Sequence, residues 1–91
     1  MTVIYKYPIL GDRTGYSEFE IDMPFDAELI GIQEIDDIAY IYALVNTECI
    51  NQKRRFCIVC TGTPIANPYR MSYIGRFTSG ALVYHLLEIL H

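Results

Sequence analysis

Cys57-Ile58-Val59-Cys60 places two thiols three residues apart, the spacing of redox and zinc pairs. Both uses need the two sulfurs on one side, as a turn or a helix start provides. Within a strand, residues three apart point to opposite faces. Phe56, Ile58 and Val59 make a strand of this segment, so both cysteines read as small apolar filler. A zinc ion would need further ligands from Cys49, His85 and His91, and none of these has paired spacing. No metal or other cofactor is therefore expected. A thiol nucleophile needs a histidine base with an orienting group. His85 is the interior histidine, and it lies between Tyr84 and Leu86 in an apolar run where a hydrogen-bonded packing role is expected. No catalytic residue is expected, and the chain reads as a non-enzyme.

Thr61-Gly62-Thr63-Pro64 is the better candidate for binding chemistry. A glycine can open backbone N–H groups toward a phosphate, and threonine hydroxyls can add donors. Arg70 or Arg76 would supply charge. No lysine follows and no helix is apparent, so the segment is not a Walker loop. Two readings stand: a strand-terminating turn, or an anion site built from Thr61, Gly62, Thr63, Arg70 and Arg76. Asp36-Asp37 reads as a polar hairpin tip, and Glu18 and Glu20 as the wet face of a strand.

These residues must be held by strands. Residues 2–9 form a first strand with Val3, Tyr5 and Tyr7 on one face, and Pro8 near its end. Gly11-Asp12-Arg13-Thr14-Gly15 is a turn, and residues 16–22 alternate with Phe19 and Ile21 inward, so these two strands read as a hairpin. Residues 28–35 form a third strand, with Ile30 and Ile32 on one face and Leu29 and Ile35 on the other. Asp36-Asp37 turns the chain into a strand over 38–45. That strand has no polar face: Ile38, Tyr40, Tyr42 and Leu44 point one way, Ala39, Ile41, Ala43 and Val45 the other. Asn46 to Gln52 reads as loop, 53–61 as a strand, Thr61 to Tyr69 as loop and 70–77 as a strand. Thr78-Ser79-Gly80 is a turn. Ala81 to Leu90 suits a doubly apolar strand, with a helix stripe as the alternative. The expected fold is all-β and mostly antiparallel: one domain over 1–91, a small sandwich or partly open barrel of about six to seven strands.

A domain of 91 residues with 52% apolar or aromatic residues and a positive mean hydropathy carries a high apolar load. It calls for an unusually complete core or a face buried against another copy, and a homo-oligomer is expected. Eight tyrosines suit such an interface, because the ring buries while the hydroxyl stays wet. Tyr40, Tyr42 and Tyr84 are the candidate interface residues, with central core as the alternative for Tyr40 and Tyr42. The net charge of −4 is poor for gripping a nucleic-acid backbone. The one basic run, Lys53-Arg54-Arg55, alternates between faces and builds no patch. The chain shows no signal peptide and no span of membrane length. Three cysteines, an odd number, read as reduced thiols in a cytosol.

Several elements taken in order carry a resemblance. They are Tyr5-Lys6-Tyr7-Pro8, Met23-Pro24 with Ala27, Ile32-Gln33, Tyr42-Ala43-Leu44-Val45, Phe56 followed by Thr61-Gly62-Thr63-Pro64-Ile65, Tyr73-Ile74-Gly75, and Leu82-Val83-Tyr84-His85. Over nearly its whole length the chain resembles an uncharacterised family of small proteins encoded by phages and prophages. Cys60 departs from the pattern, standing where a smaller residue is expected before the Thr-Gly turn. The resemblance implies a non-catalytic accessory protein acting in the bacterial cytoplasm. It would counter host defence by binding a host protein or by sequestering a nucleotide-like signal. A structural or assembly component of a virion and a small cysteine-dependent enzyme are the alternatives.

Overall fold

The computed structural model describes residues 1–67 and 70–90. Pro68, Tyr69 and His91 lie outside the described residues, and with them the end of the 61–69 loop and the last histidine. The strands are β1 (Thr2–Pro8), β2 (Tyr16–Pro24), β3 (Glu28–Ile35), β4 (Ile38–Asn46), β5 (Asn51–Cys60), β6 (Met71–Ser79) and β7 (Leu82–Ile89). The segment from Leu82 is thus a strand, not a helix. All pairings are antiparallel. They make a three-stranded sheet, β1-β4-β3, and a four-stranded sheet, β2-β5-β7-β6. The two pack face to face as an open sandwich.

The first two strands do not form a hairpin. β1 pairs with β4 and β2 with β5, so the loop over 9–15 crosses between sheets. Its course is set by a buried anchor and two left-handed glycines. Ile9 is buried, and its N–H donates to Ala39 O at 2.8 Å. Gly11 and Gly15 then take φ of 103° and 122°. A Cβ at Gly11 would stand 3.0 Å from Ser17 Oγ. Arg13 closes that end of the sandwich, its guanidinium 5.1 Å from the Phe77 ring centroid. The sequence signature of a hairpin and of such a crossover is the same: two alternating runs separated by glycines.

The two true hairpins are β3–β4 and β6–β7. Asp36 and Asp37 adopt φ of 50° and 67°, the doubly left-handed turn that matches strand twist. Gly80, with φ of 60°, opens the second hairpin between Ser79 and Leu82, so β6 runs past the expected turn at Thr78. β5 begins at Asn51, where Asn51 and Gln52 pair with Pro24 and Met23 and shorten the expected loop. In β3 a bulge between Leu29 and Gly31 shifts the alternation. Leu29 and Ile32 therefore share the core face, Ile30 is exposed, and the expected pairing of Ile30 with Ile32 does not form.

The core is a match of small against large. Ala39, Ile41, Ala43 and Val45 of β4 face Met23, Phe56, Ile58, Phe77, Tyr84 and Leu86 of the other sheet. Alanines in alternate places leave room for the Phe77–Tyr84 stack, whose centroids are 5.9 Å apart. Tyr84, expected at an interface, is 1% exposed and belongs to this core. Its register opposite Phe77 and Cys60 turns the ring inward. Tyr40 and Tyr42 are half-buried on the opposite, outward face of β4, so they are not central core residues.

At one edge the sheets are joined by Glu34 of β3, which accepts the Thr78 backbone N–H at 2.6 Å and the Thr78 hydroxyl at 2.7 Å. The Thr78 hydroxyl first, then its amide, hold the Glu34 carboxyl below its ordinary value of 4.5. A depressed folded value means stability that is present above pH 4.5 and lost as pH falls through the lowered value. Wild type is therefore expected to exceed Glu34→Gln in urea midpoint at neutral pH, with the gap closing in acid. A gap independent of pH would show that the carboxylate charge is not what joins the edge.

Candidate functional site

Sandwich sheets commonly leave their outer faces wet, but the outer face of the four-stranded sheet has its own apolar centre. Cys57 and Val59 of β5 and Leu87 of β7 are buried there, with Tyr16, Ile65, Met71 and Ile89 packed around them. β5 and β7 are both doubly apolar at this level: Phe56, Ile58, Tyr84 and Leu86 serve the main core from their other faces. The loop after β5 folds back over this second centre, and Ile65 is its plug. The loop is tied at its start by Cys60 N–H to Gly15 O at 2.7 Å and Thr61 N–H to Val83 O at 3.0 Å. Leu90 N–H to Arg70 O at 2.7 Å ties its end.

A cleft opens on each side of this loop. The larger, about 490 Å³, has an apolar floor of Pro64, Met71, Ile89 and Leu90 and a polar rim of Tyr16, Glu18, Arg55, Asn67 and Arg70. The smaller, about 200 Å³, is lined by Thr61, Gly62, Thr63, Ile65, Tyr73 and His85, among others. The proposed anion site is therefore divided. Thr61, Gly62 and Thr63 line one cleft and Arg70 the other, while the exposed Arg76 stands beside His85 in the sheet register. The turn has also spent much of its donor capacity. Thr61 N–H goes to Val83 O and Thr63 N–H to Cys60 O. Gly62 does adopt the expected left-handed conformation, with φ of 93°.

A hydrogen-bond chain holds the smaller cleft. The Thr61 hydroxyl lies 3.2 Å from Val83 O and 2.8 Å from His85 Nε2. His85 Nδ1 lies 2.8 Å from the Tyr73 hydroxyl. Both ring nitrogens are thus occupied, and neither is presented to a cysteine. Cys57 lies on the outer face with its Sγ 3.8 Å from Met71 Sδ, and Cys60 packs against the main core. The two thiols of the C-x-x-C spacing face opposite sides, as strand geometry requires. Burial pushes the Cys57 thiol up, and the neighbouring Tyr16 hydroxyl offsets part of that rise. Burial, followed by its bond to Glu18, likewise raises Tyr16. These groups stay protonated and inert at neutral pH.

The basic run is neutralised residue by residue. Lys53 meets Asp22 at 3.3 Å and Arg55 meets Glu18 at 2.9 Å on the outer face, while Arg54 turns inward to Glu88 at 2.6 Å. Among the described residues no group of three or more His, Cys, Asp or Glu side chains is placed to hold a metal ion. No helix among them is long and apolar enough to cross a membrane.

A family model described as "Domain of unknown function (DUF7352)" matches residues 1–90. The chain belongs to this family. No curated protein and no solved structure matches it. For a DUF7352 chain the two clefts therefore rest on geometry alone. Sequence reasoning reached Thr61–Thr63 and Arg70 but missed Tyr16, Tyr73 and the plug Ile65. The available signal was Ile65 itself, an isoleucine in an otherwise polar, proline-bearing loop following a strand with two apolar faces.

Proposed function

We propose that this protein is a non-catalytic, phage-encoded binding protein that acts in the bacterial cytoplasm by holding a small nucleotide-like signal in the larger cleft. The carrying observation is the composition of that cleft: an apolar floor beside Arg70 and Asn67, in a volume of about 490 Å³. Ligand sites of about 300–1,000 Å³ with a few polar groups on apolar walls are the usual form of small-molecule pockets. Met71 and Ile89 offer a surface for a base, and Arg70 offers charge-assisted bonds to a phosphate. The phage origin and the host-directed role rest on the resemblance of the ordered motifs. The enzyme reading has little support, because His85 is committed to Thr61 and Tyr73.

Titration calorimetry with a panel of linear and cyclic mono- and dinucleotides tests the reading. One member is expected to bind wild type, and Arg70→Ala is expected to weaken it about tenfold to a hundredfold, the worth of a hydrogen bond to a charged group. Binding unchanged in Arg70→Ala would remove the site. Silence across the panel, with the protein copurifying with virus particles, would favour an assembly role instead.

A further inference from the structure

The rim of the larger cleft carries a carboxylate that two neighbours hold in place. Tyr16 and Glu18 stand two residues apart on β2 and so share one face of it. The Tyr16 hydroxyl donates to Glu18 Oε2 at 2.8 Å, and Arg55 Nη2 donates to Glu18 Oε1 at 2.9 Å. Tyr16 is itself packed on the second apolar centre. A carboxylate has about four acceptor positions, two on each oxygen. One on each oxygen of Glu18 is taken by these bonds, and one on each remains. Resting on the reading of the larger cleft as a nucleotide site, we propose that Glu18 recognises the base and that the base is guanine.

The chemistry of the two remaining positions selects guanine. They take two hydrogens side by side and offer none. Among the common bases, guanine presents two adjacent donors on its pairing edge, N1–H and the 2-amino group. Adenine and cytosine set a ring-nitrogen acceptor beside an amino donor, and uracil sets a carbonyl on each side of its one N–H. Each of these would bring an acceptor against the carboxylate, a repulsive contact that rejects the wrong base.

The sheet gives the base its place. β2 and β7 flank β5, two strand spacings or about 10 Å apart. A base seated on Ile89 and Met71 of the cleft floor can therefore direct its edge across β5 to Glu18. Arg55, in register with Ile89, stands between them and offsets the Glu18 charge, which would otherwise repel a phosphate held at Arg70.

Titration calorimetry with guanosine, inosine and adenosine 5′-monophosphates, and with the cyclic dinucleotides of the same bases, reads the preference. Inosine keeps N1–H and lacks the 2-amino group. The Glu18 side chain is 46% exposed, which puts its bonds at the weak end of those made to charged groups. Guanine is therefore expected to bind about tenfold tighter than adenine, with inosine between. Glu18→Gln is expected to erase the preference, because an amide keeps one acceptor and turns a donor toward the other N–H. Arg70→Ala is expected to weaken guanine and adenine alike and to keep their ratio. Unchanged circular dichroism confirms that each variant is folded. Adenine bound as tightly as guanine, with Arg70→Ala still weakening both, overturns the base assignment and leaves the nucleotide site standing. A guanine preference that survives Glu18→Gln overturns it as well. Silence from every nucleotide overturns the site and the base assignment together.

Discussion

Phe56→Ala is expected to cost about 4 kcal/mol of stability, the middle of the range for removing a buried aromatic ring. Phe56 is 0% exposed at the centre of the four-stranded sheet, and its ring stacks on Phe19 with centroids 5.7 Å apart. Truncation removes the transfer energy of the ring, leaves a cavity, and forfeits a stacked pair worth about 1 kcal/mol. The sheets cannot close over that cavity, because hydrogen-bonded partners flank β5 on both sides. A 91-residue domain has roughly 5–14 kcal/mol of total stability. The loss is therefore a large fraction of the whole, and at about 4–8 °C per kcal/mol the melting temperature should fall by roughly 20 °C. Phe25→Ala is the control: Phe25 is 52% exposed in the connection after β2, and its change should be within about 0.5 kcal/mol. Thermal melting followed by circular dichroism compares the two. Similar melting temperatures would mean that the core is not organised around Phe56.

Glu88→Ala is expected to cost about 2–4 kcal/mol. Arg54 holds Glu88 through two bonds, Nε to Oε2 at 2.6 Å and Nη2 to Oε1 at 2.7 Å. The two side chains are only 15% and 14% exposed. Breaking a buried pair by removing one partner costs about 3–5 kcal/mol, because a charge is left without its counterpart. Some remaining contact with water places this pair slightly lower. The double variant Arg54→Met with Glu88→Leu removes both charges and should recover most of the loss. It should remain about 1 kcal/mol short of wild type, because Arg54 Nη1 also donates to Ala27 O and that carbonyl loses its partner. Chemical denaturation of the three proteins reads the cycle. A double variant as unstable as Glu88→Ala would show that packing rather than charge pairing holds this end of the sandwich.

Local pattern made much of this fold legible. Strand alternation placed Phe56 and Ile58 on one face and Cys57 and Val59 on the other, and so separated the two thiols. Two adjacent aspartates and a lone glycine marked the two hairpins, because left-handed backbone is a local requirement. The same alternation put Lys53, Arg54 and Arg55 on alternate faces and argued against a basic patch. The bulge in β3 escaped, since the extra residue is defined by the partner strand and not by β3 itself.

What only the tertiary structure decided is which strands pair and which apolar face turns inward. A period of two divides β4 into Ala39, Ile41, Ala43 and Val45 against Ile38, Tyr40, Tyr42 and Leu44, but it carries no preference between them. The choice falls on the smaller set because bulky side chains from β5, β6 and β7 fill the space opposite. Tyr84 goes inward and Tyr40 and Tyr42 outward for the same reason. The crossover over 9–15, the Arg54–Glu88 pair 34 residues apart in sequence, and the folding of Ile65 onto the second apolar centre all depend on distant neighbours. By itself the sequence determined most of the strands and the turns between them, because each depends on neighbouring residues, while it left 81–90 open between strand and helix. The sandwich partners, the covered faces and the two clefts arise from packing between segments far apart in the chain, which periodicity does not encode.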